Sequence, residues 1–271
     1  MTAIPLIRHD FWTFRIFEFA RAQKLVLNIL FLLFYSFFLP HFKTIDYFIY
    51  ATFILNLTYL IYQVFPYLPI AKKQIKSANH SATPSIKLLV ANVYQYNREF
   101  QLLNDQIIAE NPDIVLLVET DKWWKDHCLD HFGKQFPEQV LRDKENTYGM
   151  LLFSKLTLSE TQVRYLIDEE IPSITTKVKL KNGELIKLFA LHPVPPVPTQ
   201  NLYSTDRDAE ILLIGKEAKK ENLPVIVAGD LNDVAWSYTT NLFQKISGLL
   251  DPRRGRGFYS TFHAQKPLFR W

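Results

Sequence analysis

Two long apolar stretches open the chain, and a series of short apolar segments separated by polar turns follows. Leu25 to Leu39 is broken by Asn28 and Ser36, with Ile16, Phe17, Phe19 and Ala20 extending it toward the N-terminus. Glu18, Arg21 and Lys24 sit in that extension, which puts its first turns at a membrane interface. Beyond Pro40-His41-Phe42-Lys43, a second run goes from Ile45 to Phe65, with Asp46 near its start and Asn56 inside. At 1.5 Å per residue its 21 residues are enough to cross a hydrocarbon core. Tyr47, Tyr50, Tyr59, Tyr62 and Tyr67 suit interfacial belts or the packing of two helices. A soluble helical hairpin would show a polar stripe, and these runs barely do. The pattern predicts a transmembrane helical hairpin over residues 1–70 and a linker over 71–85, rich in Lys, Ser, Ala and Asn and holding Pro84.

From Ile86 the pattern changes. Ile86–Val93 reads as a strand, and Arg98–Glu110 carries apolar residues at 102, 103, 107 and 108 in helical spacing before Asn111-Pro112 stops it. Ile114–Val118 is a second buried strand, and Trp123, Trp124 and His127 lie on a helix after it. Tyr148–Ser154, Thr157–Tyr165 and Ser173–Leu180 follow as strands, and Asn182-Gly183 turns the chain into Leu185–Leu191. A Pro-rich loop, Pro193–Pro198, leads to a helix over Thr205–Glu221 and a last strand from Val225. Strands outnumber helices and several adjoin in sequence. The expected class is α+β, a two-sheet β-sandwich flanked by helices, not a doubly wound sheet.

Charge divides along the same line. Through residue 80 there are 8 Lys and Arg against 3 Asp and Glu, and from 81 onward 23 against 24. The formal charge of +4 therefore belongs to the N-terminal part. Arg8, Arg15, Arg21 and Lys24 precede the first span, and Lys72, Lys73 and Lys76 follow the second, which puts both ends on the cytoplasmic side. The near-neutral remainder lacks the basic stripe of a duplex-binding surface. Its one compact basic cluster, Arg253, Arg254 and Arg256, reads as a solvated loop. Cys128 is the single cysteine, so an internal disulfide is excluded, and the thiol reads as inert near a helix end.

The candidate chemistry sits at strand ends. Asp230 and Asn232 follow the strand Val225–Gly229 two residues apart, so both side chains point to one side. A carboxylate and an amide placed so can hold a hydrated metal, orient a water or grip a phosphate oxygen. They also suit an Asx turn. Asn92, Glu119 and His192 likewise each end a strand-like run.

Five segments in this order resemble the endonuclease/exonuclease/phosphatase family, which includes pancreatic deoxyribonuclease, neutral sphingomyelinases and inositol-polyphosphate 5-phosphatases. They are Val90–Val93, Pro112–Glu119, Tyr148–Lys155, Leu191-His-Pro193 with Pro195-Pro196, and Gly229–Asp233. With the apolar runs ahead, the chain resembles a bacterial, membrane-anchored branch, which implies a bacterial inner-membrane location. The resemblance implies a deoxyribonuclease-like domain over 86–271 and a Mg²⁺-dependent phosphodiesterase or phosphatase, with Mn²⁺ as the alternative ion. On that pattern Glu119 ligates the metal and Asn92 helps hold it, directly or through water. His192 contacts or protonates the scissile phosphate, Asp230 orients or deprotonates the attacking water, and Asn232 donates to a non-bridging oxygen. Tyr148 corresponds loosely to a phosphate-contacting tyrosine, and Asn97 and Asp233 stand behind the site. The substrate class stays open among a lipid headgroup, a small phosphodiester and nucleic acid.

The family's final strand carries an Asp-His pair, whereas this sequence ends at Pro267–Trp271 where that segment is due. His263 is the only late histidine and no Asp precedes it. The expectation is a C-terminally incomplete domain, with a catalytically inactive, membrane-tethered domain as the alternative to an enzyme.

Overall fold

A computed structural model describes residues 2–38, 43–77 and 85–262. The loop Pro40–Phe42, the second part of the linker (78–84) and the C-terminal stretch holding His263 lie outside the described residues. The chain divides into two compact units. One contains the residues through Ser77, Pro196–Ser204 and those from Asp233 on, and the other contains residues 78–195 and Thr205–Asn232.

In the first unit, the apolar N-terminal pattern becomes three helices, α1 (Trp12–Phe19), α2 (Arg21–Phe38) and α3 (Thr44–Val64). The break at Ala20 (ψ 45°) divides the expected run from Ile16 to Leu39. Its cause is polar. The Trp236 indole donates to the Glu18 carbonyl at 2.6 Å, and Lys24 donates to that of Phe17, so carbonyls needed for the helical ladder are diverted. Two helices, Arg21–Phe38 and the run from Thr44 through Tyr67, are long and apolar enough to cross a membrane. They are joined by Tyr35 stacked edge-on to Tyr50 (5.5 Å), Tyr50 donating to Ser36 and Arg21 donating to Tyr59. Phe31, Phe34, Phe48 and Leu55 stay exposed on them.

The second unit is a sandwich of two four-stranded sheets. The first has the order β1-β2-β4-β3, from β1 (Leu88–Asn92), β2 (Ile114–Val118), β3 (Glu138–Arg142) and β4 (Met150–Ser154). The second has the order β5-β6-β7-β8, from β5 (Leu158–Arg164), β6 (Ser173–Lys179), β7 (Leu185–Leu191) and β8 (Val225–Gly229). Ile114, Leu116, Val118, Met150 and Leu152 of one sheet meet Ile174, Val178, Leu188 and Ala190 of the other. The alternate residues Val115, Leu117, Leu151 and Phe153 face outward onto α4 (Phe100–Glu110) and α5 (Lys122–Phe132), meeting Phe100, Ile107, Trp124 and Phe132. Burial on both faces explains why β2 and β4 read as unbroken apolar runs.

Local signals hold at the helix ends. Asn111 closes α4 in the left-handed conformation (φ 44°) with its N–H on Ile107, and Asp121 caps α5 by accepting from the Trp124 N–H at 2.9 Å. Cys128 lies about one turn before the end of α5, its carbonyl accepting from the capping Gly133 N–H, and burial pushes its thiol up to about 12, which keeps it protonated and inert.

Each sheet carries one parallel pair at its edge. β1 pairs β2 through the crossover helix α4, and β7 pairs β8 through α6 (Thr205–Lys220). The bidentate Arg164–Glu217 pair (2.6 and 2.7 Å) ties α6 to β5. On α6 itself, Glu210 is buried, its Oε1 has no partner among the described residues, and burial pushes it from an ordinary 4.5 up to about 7. A raised carboxyl contributes stability that is whole below pH 4.5 and is lost as pH rises through 7. Glu210→Gln is therefore expected to be neutral at pH 4 and to stabilise at pH 8 by roughly 2–3 kcal/mol. Melting curves across pH check this, and equal gains at both ends would contradict it.

Back in the first unit, α7 (Tyr238–Ser247) is capped by Ser237, which accepts from the Thr240 N–H. The arginine cluster differs from the sequence expectation of a solvated loop. Arg253 grips the buried Asp251 with two bonds (2.9 and 2.8 Å), and Arg256 donates to the Ile75 carbonyl at 2.7 Å. A buried carboxylate requires a partner, and the loop folds back to supply it.

Candidate active site

Parallel pairing decides where the chemistry converges. In a parallel pair both strands end at the same edge, so Asn92 on β1 lies beside Val118 and Glu119, while Leu191 pairs with Gly229 and brings His192 beside Asp230. β1 and β8 are the edge strands of their sheets and lie against each other across the sandwich. Four residues 27 to 138 positions apart thus reach one spot. Asn92 Nδ2 donates to Glu119 Oε1 at 2.6 Å and to Asp230 Oδ2 at 3.0 Å.

The backbone around this spot is strained in a consistent way. Glu119 (φ 59°), Asn232 (φ 50°) and Tyr94 (φ 57°) all take the left-handed region, which costs a side-chain-bearing residue roughly 1–2 kcal/mol. Such outliers gather where the surrounding structure must aim a side chain. At Asn232 the cost is offset by an Asx turn, its N–H donating to Asp230 Oδ1 at 3.0 Å. At Tyr94 the N–H donates likewise to Asn92 Oδ1 at 2.9 Å. The turn and the site are therefore one feature, not alternatives.

His192 is 3 % exposed, and among the described residues its Nδ1 has no partner. Burial lowers its pKa, against the opposing pull of the Asp230 and Glu119 carboxylates. The ring is neutral at neutral pH and carries one N–H. Tyr148 packs its ring 5.5 Å from that of His192. Burial, with the Glu119 and Asp168 charges adding to it, pushes Tyr148 up to about 12, so it keeps its proton. Asn232 Nδ2 donates to the Pro193 carbonyl at 2.8 Å, which uses one of its two N–H groups.

Two residues named at the margins of the site have other partners. Asn97 closes the turn after β1 by bonding the Val93 carbonyl and the Glu99 N–H. Asp233 accepts from Ser237 and Thr240 at the start of α7.

Two further supports carry no motif signal in the sequence. Arg207 on α6 is almost fully buried, donates to the Asn232 carbonyl at 2.9 Å and grips Asp208. Gln95 is buried and bridges to the Glu145 carbonyl (3.0 Å) and the Thr147 N–H (2.6 Å), fixing the approach to Tyr148. An Arg in the first turn of a polar helix looks solvated until its tertiary partner is known. Arg207→Met is expected to cost about 2 kcal/mol, since it removes the donor to the Asn232 carbonyl and one partner of Asp208. Denaturant unfolding measures it, and a loss within 0.5 kcal/mol, about that of a surface change, would contradict it.

The donor set bears on a metal. Among the described residues no group of three or more His, Cys, Asp or Glu is arranged to hold one. Here two carboxylates converge on a single amide nitrogen beside a buried imidazole nitrogen that has no partner among the described residues. Two like charges held this close call for a cation, and an oxygen-only set suits a hard, partly hydrated one such as Mg²⁺. The residues fit such an ion.

A model of the Endonuclease/Exonuclease/phosphatase family matches residues 89–271. Similar solved structures include a beta toxin mutant from Staphylococcus aureus with bound magnesium ions (21% identity, 61% of this chain and 71% of that one, TM-score 0.49). Others are a humanized TDP2 of D. rerio (15%, 57% and 66%, TM-score 0.48) and the human Nocturnin catalytic domain with bound sulfate anion (16%, 60% and 70%, TM-score 0.48). No curated protein matches the chain.

Proposed function

The chain belongs to the Endonuclease/Exonuclease/phosphatase family, and we propose that it is a membrane-anchored hydrolase that cleaves a phosphodiester or phosphate monoester with Mg²⁺. The observation that carries this reading is the meeting of Glu119 and Asp230 on Asn92 Nδ2 beside the buried His192. Glu119 would hold the ion, with Asn92 steadying both carboxylates and offering the remaining lone pair of Oδ1. When bound, the ion supplies Lewis-acid neutralisation of phosphoryl charge.

Each side chain then has a task. Asp230, held by Asn92 and the Asn232 N–H, orients the attacking water and accepts its proton. The second Nδ2 N–H of Asn232 donates to a non-bridging oxygen. His192 enters neutral, which favours hydrogen-bond donation to a phosphoryl oxygen over proton delivery. Tyr148, protonated over the whole physiological range, keeps His192 in place and adds a donor at the anion. Positioning of this kind dominates an in-line displacement.

The anchor in this reading is residues 1–70, followed by the linker 71–85, in a bacterial inner membrane with the hydrolase domain on the cytoplasmic side. An anchor and a near-neutral domain favour a lipid headgroup or a small phosphodiester over duplex DNA.

The test is hydrolysis by the purified chain in detergent of bis-p-nitrophenyl phosphate, with Mg²⁺ or Mn²⁺ and with a chelator. Metal-dependent turnover supports the reading, and no turnover with either ion overturns it in favour of a binding domain. Phospholipid and DNA substrates then separate the classes. Activity on DNA that falls steeply as salt rises would mark a nuclease.

A further inference from the structure

At the C-terminal end of α3 the first unit holds an open, shallow cavity of about 430 Å³. Phe65, Pro66 and Ala71 form apolar walls, and Lys72, Lys73 and Arg254 bring three positive charges. Among the described residues no carboxylate lines it. The one acid of the loop that contributes Arg254, Asp251, is already closed off by Arg253. Among the described residues Lys72 has no ion pair, and Lys73 reaches only the Ser77 hydroxyl at 3.3 Å. Arg254 lies over the Tyr67 ring at 5.7 Å and donates through one terminal nitrogen to Asn241 Oδ1 at 3.3 Å, and among the described residues its buried Nε has no partner.

The cavity is built, not a gap between loose loops. Gly255 donates to the Pro66 carbonyl at 2.9 Å, and Gln74 donates to that of Arg254 at 3.4 Å. A Cβ on Gly255 would come within 2.7 Å of the Lys73 backbone, so the two segments touch without a side chain between them. The cavity follows directly on a helix whose apolar side chains, among them Leu55, Ile61 and Tyr62, are exposed. Phe65 (45 %) and Ile70 (80 %) stay exposed at its rim. A span of that length ends at the headgroup layer.

We propose that this cavity binds the phosphate-bearing headgroup of an anionic membrane phospholipid. The three cations take the phosphate, and the apolar walls take the glycerol and first methylenes, a pairing that free phosphate cannot satisfy. Clustered cations beside a span are attracted to anionic lipid in the same way. The inference rests on the membrane reading above and is independent of the hydrolytic one.

The full chain in a neutral detergent is titrated with dioctanoyl phosphatidylglycerol, dioctanoyl phosphatidylcholine and inorganic phosphate, with binding read by native mass spectrometry. Phosphatidylglycerol should bind about tenfold or more tighter than phosphatidylcholine. Lys72→Ala/Lys73→Ala should remove that preference, and Lys72→Arg/Lys73→Arg should keep it. Both lysines are exposed, so the folded state tolerates either pair. Equal affinity for the two lipids, an unchanged preference in the alanine pair, or inorganic phosphate displacing the lipid completely would each overturn the assignment. Failure of the membrane reading shows separately, as a chain that stays monodisperse without detergent and does not float with vesicles.

Discussion

Glu119→Gln is expected to lower kcat on a phosphodiester substrate by about a thousandfold, the scale of removing a metal ligand or a principal charge-stabilising group. The same change should leave the fold intact, because Glu119 lies beyond the end of β2 and is only half-buried. Two features make the prediction sharper than a simple loss of activity. Glu119 sits at φ 59°, and its carboxylate shares Asn92 Nδ2 with that of Asp230. A residue that suits this backbone better and removes the like charge should stabilise the metal-free protein. Glu119→Gly is therefore expected to be as inactive as Glu119→Gln and to melt higher than the wild type without metal, by about 2–4 °C for roughly 1 kcal/mol. Mg²⁺ should raise the melting temperature of the wild type and not of either variant. An active Glu119→Gln protein, or one that Mg²⁺ stabilises as fully as the wild type, would remove Glu119 from the site.

Gly229→Ala should be among the most damaging single methyls in the second unit. Gly229 ends β8 at φ 133°, and a Cβ there would lie 1.9 Å from the Leu191 carbonyl oxygen of the paired strand. That atom belongs to backbone fixed by the β7–β8 pairing, so neither side can move without breaking the pairing. The expected cost is about 3–5 kcal/mol, and Asp230 and His192 would be pushed apart, so activity should fall with stability. Gly183 supplies the control. It also has positive φ (92°), but nothing lies within 4 Å of its Cβ position, so Gly183→Ala should cost only about 1 kcal/mol. Urea unfolding of both variants decides between them. Similar losses at the two positions would show that backbone strain alone, and not the close strand approach, governs Gly229.

Much of the fold is legible in the chain. Buried strands such as Ile114–Val118 show as short apolar runs, and the Asn111-Pro112 and Asn182-Gly183 signals end or turn their elements where expected. Two elements escape this reading. β3, Glu138–Arg142, is an edge strand that is at most half-buried and has too few apolar residues to stand out. α7 opens with Tyr-Thr-Thr-Asn, poor helix formers, and is held by its Ser237 cap and tertiary packing.

The candidate site divides in the same way. Asn92, Glu119, His192 and Asp230 were identifiable because polar residues at the ends of apolar runs are a local pattern. Arg207 was not, because nothing in Thr-Asp-Arg-Asp signals that its guanidinium turns inward to the Asn232 carbonyl. The arginine loop misleads for the same reason, since three nearby positive charges look solvated until Asp251 is seen to be buried beneath them.

By itself the sequence determined the two apolar helices, the two-sheet class and the identity of the polar residues at the strand ends. These depend on periodicity and turn chemistry, which act over a few residues. Only the tertiary structure decided that Asn92 meets both Glu119 and Asp230, that the helix breaks at Ala20, and that Lys72, Lys73 and Arg254 share a cavity. Each of these depends on the packing of segments far apart in the chain. The energy of such contacts lies in burial and pairing between segments, and no single segment records it.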